Sequence, residues 1–546
     1  MKTIAKRIIG LVLALAIVAG LVPVTGVLDI EAQAATVNYA PMPNYIQDGV
    51  TLHCWNWSIA NIRANLGLIA NSGYSAIQLS PMQELKETSV NKPYDNWWVV
   101  YQPISFNLNT KADHAVGTKS ELIQLCKEAH KYGLKVIMDV VCNHTANGGA
   151  ANTLCPQVDP DILNDPNCWH DYRTNSWDYS DRYNITQYCM AGLPDLNTGN
   201  KKVQQKALDM LKEYIDCGVD GFRWDAAKQI ETPNDVYCSS DFWPTVINAA
   251  NSYASSTRGI YLYHYGELLE NADTRNSLHM SAYTQYMSVT ESVWSNDVRY
   301  KLEDHNAWGL RKEYFKETTP DKMVLWAESH DTFGDKSSIY TSQYNLDKAW
   351  SLVTSRAYTM ALFFPRANDM LYQEMGELAK VSWTSKLTTE VNKFHNHFAG
   401  QSECLTQAGN SNLYYNERGN SGIIITNFND GGRDINIPVY AMANGTYYDQ
   451  ITGNQFTVSG GRLYGAMGDT GVAVVYNPGT KSCSHSSHGS DGYCYSCYAY
   501  VGHKSGTKCS TCGTASTRTI YFNNTAGWST PYIYGWHDNG GAGTAG

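Results

Sequence analysis

Arg223 and Asp225 stand two residues apart in Gly221-Phe222-Arg223-Trp224-Asp225-Ala226-Ala227-Lys228, a spacing that sends both side chains off one face of a strand. A guanidinium beside a carboxylate keeps that carboxylate ionised, as a nucleophile requires. A structural ion pair at a strand end would read the same way. Two further acids sit in comparable places: Glu267 closes Tyr265-Gly266-Glu267, and Asp331 closes Glu328-Ser329-His330-Asp331. A third apolar run, Val136-Ile137-Met138-Asp139-Val140-Val141, leads into Cys142-Asn143-His144. Asp225, Glu267 and Asp331, with His144 and His330 beside them, make a set of carboxylates and imidazoles suited to acid–base and nucleophilic work, provided the fold gathers them.

The elements that would gather them are legible as a repeat. Short apolar runs read as strands at Thr51–Trp57, Tyr74–Pro81, Lys135–Val141, Asp220–Asp225, Tyr261–Leu268, Gln285–Thr290, Met323–Ser329 and Met360–Pro365. Helix-period stretches lie between most of them, at Ile59–Asn71, Lys119–Tyr132, Lys201–Cys217, Phe242–Ser255, Val293–Leu302 and Lys348–Ala357. Some eight β–α units in succession predict an α/β fold closed as a (β/α)8 TIM barrel, with a doubly wound open sheet as the alternative. In a barrel, chemistry sits where strands end and loops begin, which is where these acids fall. Between the third strand and the helix at Lys201 lie roughly fifty residues rich in Asn, Asp, Gly and Tyr, too many for a simple loop; Asn143–Asp195 therefore reads as an inserted domain. After Gly400, β-branched runs such as Gly422–Thr426 and Gly471–Val475 predict a separate β-sandwich that ends near Tyr476.

Composition bounds the function. A hydrophobic content of 43% and a charged content of 17% over 546 residues describe a globular chain with several domains. The net charge of -10 argues against nucleic acid or an anionic membrane as partner. The 15 Trp and 38 Tyr supply flat rings of the kind that stack on sugars. Lys2, Lys6 and Arg7 precede an apolar run from Ile8 to about Val27, and Ala32-Gln33-Ala34 offers small residues for cleavage before Ala35. That reads as a secretory signal over residues 1–34, with an uncleaved anchor as the alternative. A secreted, extracellular protein, with no membrane attachment after cleavage, is the expectation. Of the 14 cysteines, Cys126 and Cys217 fall on helix patterns and read as core; Cys155, Cys168 and Cys189 share one irregular region where a single disulfide is expected.

Taken together, these segments resemble the sequence regions of the α-amylase family, glycoside hydrolase family thirteen. Asp139–His144 resembles the first region, Gly221–Lys228 the second, Gly266-Glu267 the third and His330-Asp331 the fourth; Leu193-Pro194-Asp195-Leu196-Asn197 resembles the region that closes the inserted domain. The likeness covers about residues 45–478. Leu52–Trp57, Tyr101-Gln102-Pro103 and Trp326–Thr332 bring it nearest to secreted bacterial saccharifying amylases of the Bacillus subtilis type. The resemblance implies endo-hydrolysis of α-1,4-glucosidic bonds in starch and malto-oligosaccharides with retention of configuration. A related α-glucosidase or transglycosylase is one alternative, and a non-catalytic starch-binding scaffold another. It implies Asp225 as nucleophile, Glu267 as general acid with a raised pKa, and Asp331 as the third carboxylate. Substrate contacts would come from Trp98, Tyr101, Gln102, His144, Arg223, Lys228 and His330. It also implies Ca²⁺ bound by Asn143, Asp195 and the carbonyl of Thr186. Gln229 stands where the family has a histidine that gives a backbone carbonyl, and Gly218 with Asp220 matches a second calcium position. Ser329 replaces the asparagine of chloride-activated relatives. The barrel would comprise residues 35–142 and 196–400, the inserted domain 143–195, and the β-sandwich 401–478.

The tail departs from this pattern. Cys494-x-x-Cys497 and Cys509-x-x-Cys512 have the spacing of a zinc ribbon over residues 479–516, with Cys483, His485, His488 and His503 nearby. Zn²⁺ and disulfides compete as explanations, and Cys483 reads as a spare thiol. The tail is also a candidate for docking on a cell-surface protein. Thr519–Asn524 and Trp528–Trp536 resemble the opening strands of a starch-binding module (residues 517–546) that stops at Gly546 too soon to close, as a fragment of a longer protein would.

Overall fold

The computed structural model describes residues 35–38, 41–86, 94–112, 114–269, 280–308, 310, 318–366, 376–379, 382–407, 412–483, 485 and 487–501. The expected signal segment, Cys509, Cys512 and the start of a starch-binding module lie outside them. Eight parallel strands close into a barrel in sequence order: Val50–Cys54, Ala76–Leu79, Lys135–Val140, Gly221–Trp224, Tyr263–Gly266, Ser288–Thr290, Met323–Leu325 and Met360–Phe363. The fourth strand pairs with the third through Asp139↔Arg223 and with the fifth through Arg223↔Tyr265. Alternation then decides what each side chain meets. Ile137, Tyr265, Val324 and Met360 fill the barrel interior. The partners that alternate with them, Val136, Met138, Phe222 and Val289, pack outward beneath the helices.

Local chemistry explains the boundaries. The helix Lys119–Lys131 starts from a capping box in which Thr118 and Glu121 satisfy each other's backbone N–H groups. Lys201–Cys217 is capped by Asn200 and ends on Gly218, at φ 108°, a left-handed position suited to glycine. The expected single helix Ile59–Asn71 is two, Ile59–Ala64 and Leu66–Asn71, with Asn65 as the hinge between them. The helix expected from Lys348 begins at Gln343 because the Ser342 side chain caps it. Gly221 lets two strands approach: a Cβ there would lie 2.6 Å from the Tyr263 carbonyl oxygen.

Residues 143–195 hold short elements only, including the strand Asp171–Asn175 paired with Tyr188–Cys189 and the helix Arg182–Gln187. The expected disulfide there is not formed. Cys155, Cys168 and Cys189 are buried and unpaired, and the Cys189 thiol instead donates to the Tyr172 carbonyl at 3.0 Å.

After residue 400 come eight antiparallel strands hydrogen-bonded in one continuous order, ending with Val472–Tyr476. Leu413, Tyr415, Ile423, Ile425, Ala473 and Val475 face this unit's own core. Tyr414, Ile424, Val472, Val474 and Tyr476 face the barrel's helices. Both faces are therefore apolar, which is why these strands read as unbroken hydrophobic runs. Among the described residues no helix is long and apolar enough to cross a membrane.

Candidate active site

Period-two alternation carries Arg223 and Asp225 inward at the end of the fourth strand, Asp139 at the third and Glu267 just past the fifth. The Arg223 guanidinium is the hub. Its Nη1 donates to Asp139 Oδ1 and Oδ2 at 2.9 Å each and to Asp225 Oδ1 at 2.7 Å. Its Nη2 contacts Glu267 Oε1 at 2.7 Å. Glu267 Oε2 accepts from the Ala226 N–H at 2.9 Å, so the acid is held by the turn that follows Asp225. Asp331 arrives from the seventh strand's loop on the short helix His330–Gly334, which Ser329 opens with a capping box to Thr332, and it is hydrogen-bonded to Glu267.

Three carboxylates thus share one fixed cation, with Asp331 as a fourth beside Glu267, and their proton affinities separate. Burial pushes Asp225 up against the pull of Arg223, and burial pushes Asp139 up to about 7. Asp331 rises well above the usual carboxylate range, from burial and from Glu267 beside it. Glu267 goes the other way. Burial alone would raise it, but the Arg223 guanidinium holds it below its ordinary value. This departs from the expectation of a raised Glu267: Arg223 touches the acid as well as the nucleophile, and the upward shift falls on Asp331 instead.

Of the remaining expected residues, Tyr101, His144 and His330 meet these acids. Tyr101 donates to Asp139 Oδ2 at 3.1 Å and stacks on the His330 ring at 5.7 Å between centroids. Burial and Arg223 lower His330 to about 3, so it is a neutral imidazole. His144 Nε2 donates to the Tyr101 carbonyl at 2.9 Å and lies 4.0 Å from Asp225 Oδ2. Its Nδ1 and the Oε1 of Gln102 are buried without hydrogen-bond partners, polar atoms that a sugar hydroxyl would satisfy. Trp98 is 41% exposed at the rim. The Lys228 ammonium donates to the Leu269 carbonyl at 3.0 Å. Sequence reasoning missed Asp139 as a site residue; its signal was Ile137-x-Asp139, the same inward alternation as Arg223-x-Asp225.

Calcium is implied by the family resemblance, and the donors at the junction of the inserted segment fit it. Asn143 Nδ2 lies 2.9 Å from Asp195 Oδ1, both residues about 1% exposed. Burial pushes Asp195 up to about 7, against the pull of His170 beside it. Thr186 and Gln187 close the ring, with Gln187 Nε2 bridging the Thr186 carbonyl at 3.0 Å and Glu231 Oε1 at 2.7 Å. Buried carboxylates, an amide and a carbonyl are hard oxygen donors. Gln229 lies in the turn Ala227–Gln229, whose neighbouring carbonyls at Lys228 and Ile230 accept from Arg182. Two junction residues escaped sequence reading: His170, between Asp195 (2.7 Å) and Glu231 (3.0 Å), and Glu231 itself. The second calcium position does not fit. Asp220 Oδ1 is taken by Arg258 at 2.8 Å, and Oδ2 by His130 at 2.8 Å and the Val136 N–H at 2.9 Å. A carboxylate already matched by a guanidinium offers a cation little. Gly218 serves as the helix cap.

In the tail, Cys483, His485, Cys494 and Cys497 bring four ligand atoms within 4.8 Å of one another, a cluster that could hold a metal ion. Cys483 is therefore not spare: it joins Cys494 and Cys497.

A family profile described as "Alpha amylase, catalytic domain" matches residues 62–351. Among similar proteins, an alpha-amylase of Clostridium acetobutylicum is 32% identical over 460 residues, which cover 82% of this chain and 57% of that protein. An alpha-amylase of Butyrivibrio fibrisolvens is 29% identical over 478 residues, covering 79% and 47% respectively. The chain thus spans about half the length of these relatives. A variant of alpha-amylase I from Eisenia fetida, solved in complex with maltohexaose, shares the fold with a TM-score of 0.62 at 18% identity, covering 81% of this chain and 99% of that one.

Proposed function

The chain belongs to the α-amylase catalytic-domain family, and we propose that it is a secreted, endo-acting α-amylase that hydrolyses internal α-1,4-glucosidic bonds of starch with retention of configuration. One observation carries the reading: a single guanidinium, Arg223, holds Asp225 and Glu267 at 2.7 Å each. Retention needs a nucleophile and an acid about 5–5.5 Å apart across the anomeric carbon, and two carboxylates on adjacent nitrogens of one planar group are fixed relative to each other.

In the reaction, Asp225 attacks the anomeric carbon as the glycosidic oxygen leaves with a proton from Glu267. A glycosyl ester on Asp225 results. Glu267, now ionised, takes a proton from water, whose oxygen displaces Asp225 from the sugar and regenerates both acids. A bound sugar, entering between these acids and solvent, raises Glu267 by further desolvation, which favours the protonated form that the first step needs. Tyr101 and Trp98 supply faces for the sugar rings, and Gln102, His144 and His330 supply hydrogen bonds. The substrate class is supported by the maltohexaose complex of the Eisenia enzyme. Calcium would sit between Asn143, Asp195 and the Thr186 carbonyl, where it would tie the inserted segment to the barrel and hold His144, the next residue, in place.

Soluble starch and maltose separate the readings. The proposal expects rapid loss of iodine staining, no glucose from maltose, and α-configured reducing ends. Asp225→Asn is expected to lower the starch rate by about 10³-fold or more with the fold intact. Glucose from maltose alone, or undiminished activity in Asp225→Asn, would overturn it.

A further inference from the structure

We propose that Cys483, His485, Cys494 and Cys497 form a tetrahedral zinc site that fastens the post-sandwich tail and the strand Ala35–Asn38 to the barrel face opposite the acids. The ligand atoms are gathered closely. Cys483 Sγ and Cys494 Sγ are 3.6 Å apart, and Cys497 Sγ lies 3.4 Å from His485 Nδ1. Tetrahedral zinc with bonds of about 2.3 Å to sulfur and 2.05 Å to nitrogen has ligand–ligand edges of about 3.75 and 3.55 Å. A disulfide would need about 2.05 Å. All three cysteines are buried. Cys494-x-x-Cys497 folds as a knuckle: the Ser496 N–H points at Cys494 Sγ from 3.4 Å, and the Tyr498 N–H donates to the Cys494 carbonyl at 2.9 Å. Such an N–H stabilises a thiolate over a thiol. His485 (φ 54°) and Tyr498 (φ 62°) both hold left-handed backbone, a strain that a closed chelate would sustain. Zinc binding would release the thiol protons and leave three thiolates and a neutral imidazole on the metal.

What the ion would fasten follows from the neighbours. Cys483 ends the strand Thr480–Cys483, which pairs antiparallel with Ala35–Asn38 in the register Ala35↔Cys483. On the other side of the cluster, Asp491 accepts from the Gly67 N–H at 2.8 Å and from the Tyr132 hydroxyl at 2.5 Å. The Tyr495 ring meets Tyr132 edge-on at 4.7 Å. Gly67 and Tyr132 lie on the helical segments that lead into the second and third barrel strands, hence at the strands' N-terminal end, away from the acids. A tail segment of this length has too little core to order itself, and a metal is the usual remedy.

Elemental analysis of the full chain tests the site against a paired Cys494→Ser/Cys497→Ser variant. The variant is expected to hold one zinc fewer per chain, whatever Cys509 and Cys512 bind. Cobalt substitution of the wild type is expected to give thiolate-to-metal absorption that the variant lacks. Trypsin is expected to cut the variant between Asn477 and Val501 under conditions that spare the wild type, with the starch rate within about twofold. Equal zinc content in the two proteins would overturn the site, as would a Cys483–Cys494 disulfide in non-reducing mass analysis. Equal protease resistance despite the lost zinc would overturn the fastening role.

Discussion

Asp331 shows how a crowded site distributes its charge. Burial and the neighbouring Glu267 raise its pKa well above 3.8. An acid whose pKa rises on folding stabilises the fold only while protonated. Its contribution is fully favourable below the unfolded value and is lost as pH climbs through the folded one. Asp331→Asn removes that penalty together with the third carboxylate. The variant is therefore expected to melt higher than the wild type at pH 7 and alike near pH 4, with starch hydrolysis reduced by about 10²-fold or more. Equal or lower melting at pH 7 would show that the four acids do not compete for Arg223. Asp139 belongs to the same balance: it shares the Nη1 of Arg223 with Asp225, while Nη2 serves Glu267.

At the scale of elements, the inserted segment places His144 and the junction donors, and it has little regular structure of its own with which to do so. Its order rests on the ring that runs from Asn143 through Asp195, His170, Glu231 and Gln187 to Thr186. Calcium bound there would stabilise by mass action, by several kcal/mol at saturating concentrations. Chelation is expected to lower Tm by on the order of 10 °C, with recovery on adding calcium but not zinc, and with no chelator effect in Asp195→Asn. An unchanged Tm on chelation, or recovery with zinc alone, would assign the junction to His170 and its two carboxylates without a metal.

For the whole molecule, barrel and β-unit share an apolar boundary, because the strands at 413–418, 422–427 and 472–476 are buried on both faces. Polar bridges also cross it: Arg356, at the end of a barrel helix, meets Glu403 on the first strand of the β-unit at 3.0 Å, the Ser351 and Thr426 hydroxyls lie 2.7 Å apart, and Arg418 Nη1 donates to the Ser355 carbonyl at 3.1 Å. The first described strand also returns to the segment that follows the β-unit, in the pairing of 35–38 with 480–483. Cleavage after Ala34 would leave the new N-terminus at the start of that strand. N-terminal sequencing of protein recovered from culture medium is expected to begin at Ala35. A start at Met1, or retention in the cells, would contradict export with cleavage.

Much of this was legible in the chain itself. All eight barrel strands, the helices between them and the turn to an antiparallel unit after Gly400 follow from local alternation and capping. That is because backbone propensity and burial pattern are written within a few residues. The inward direction of Arg223, Asp225 and Glu267 follows from the same period of two. Three things depended on distance in the folded chain. How the acids' proton affinities separate was decided by Arg223 reaching Glu267 as well as Asp225. Where the tail cysteines find partners was decided by the strand pairing that brings Cys483 and His485 to the Cys494 knuckle. Whether Asp220 could serve a cation was decided by Arg258 and His130 arriving from two other helices. Sequence spacing determines which face a side chain leaves from; the charges waiting there come from elements far along the chain, and only closure of the fold sets them.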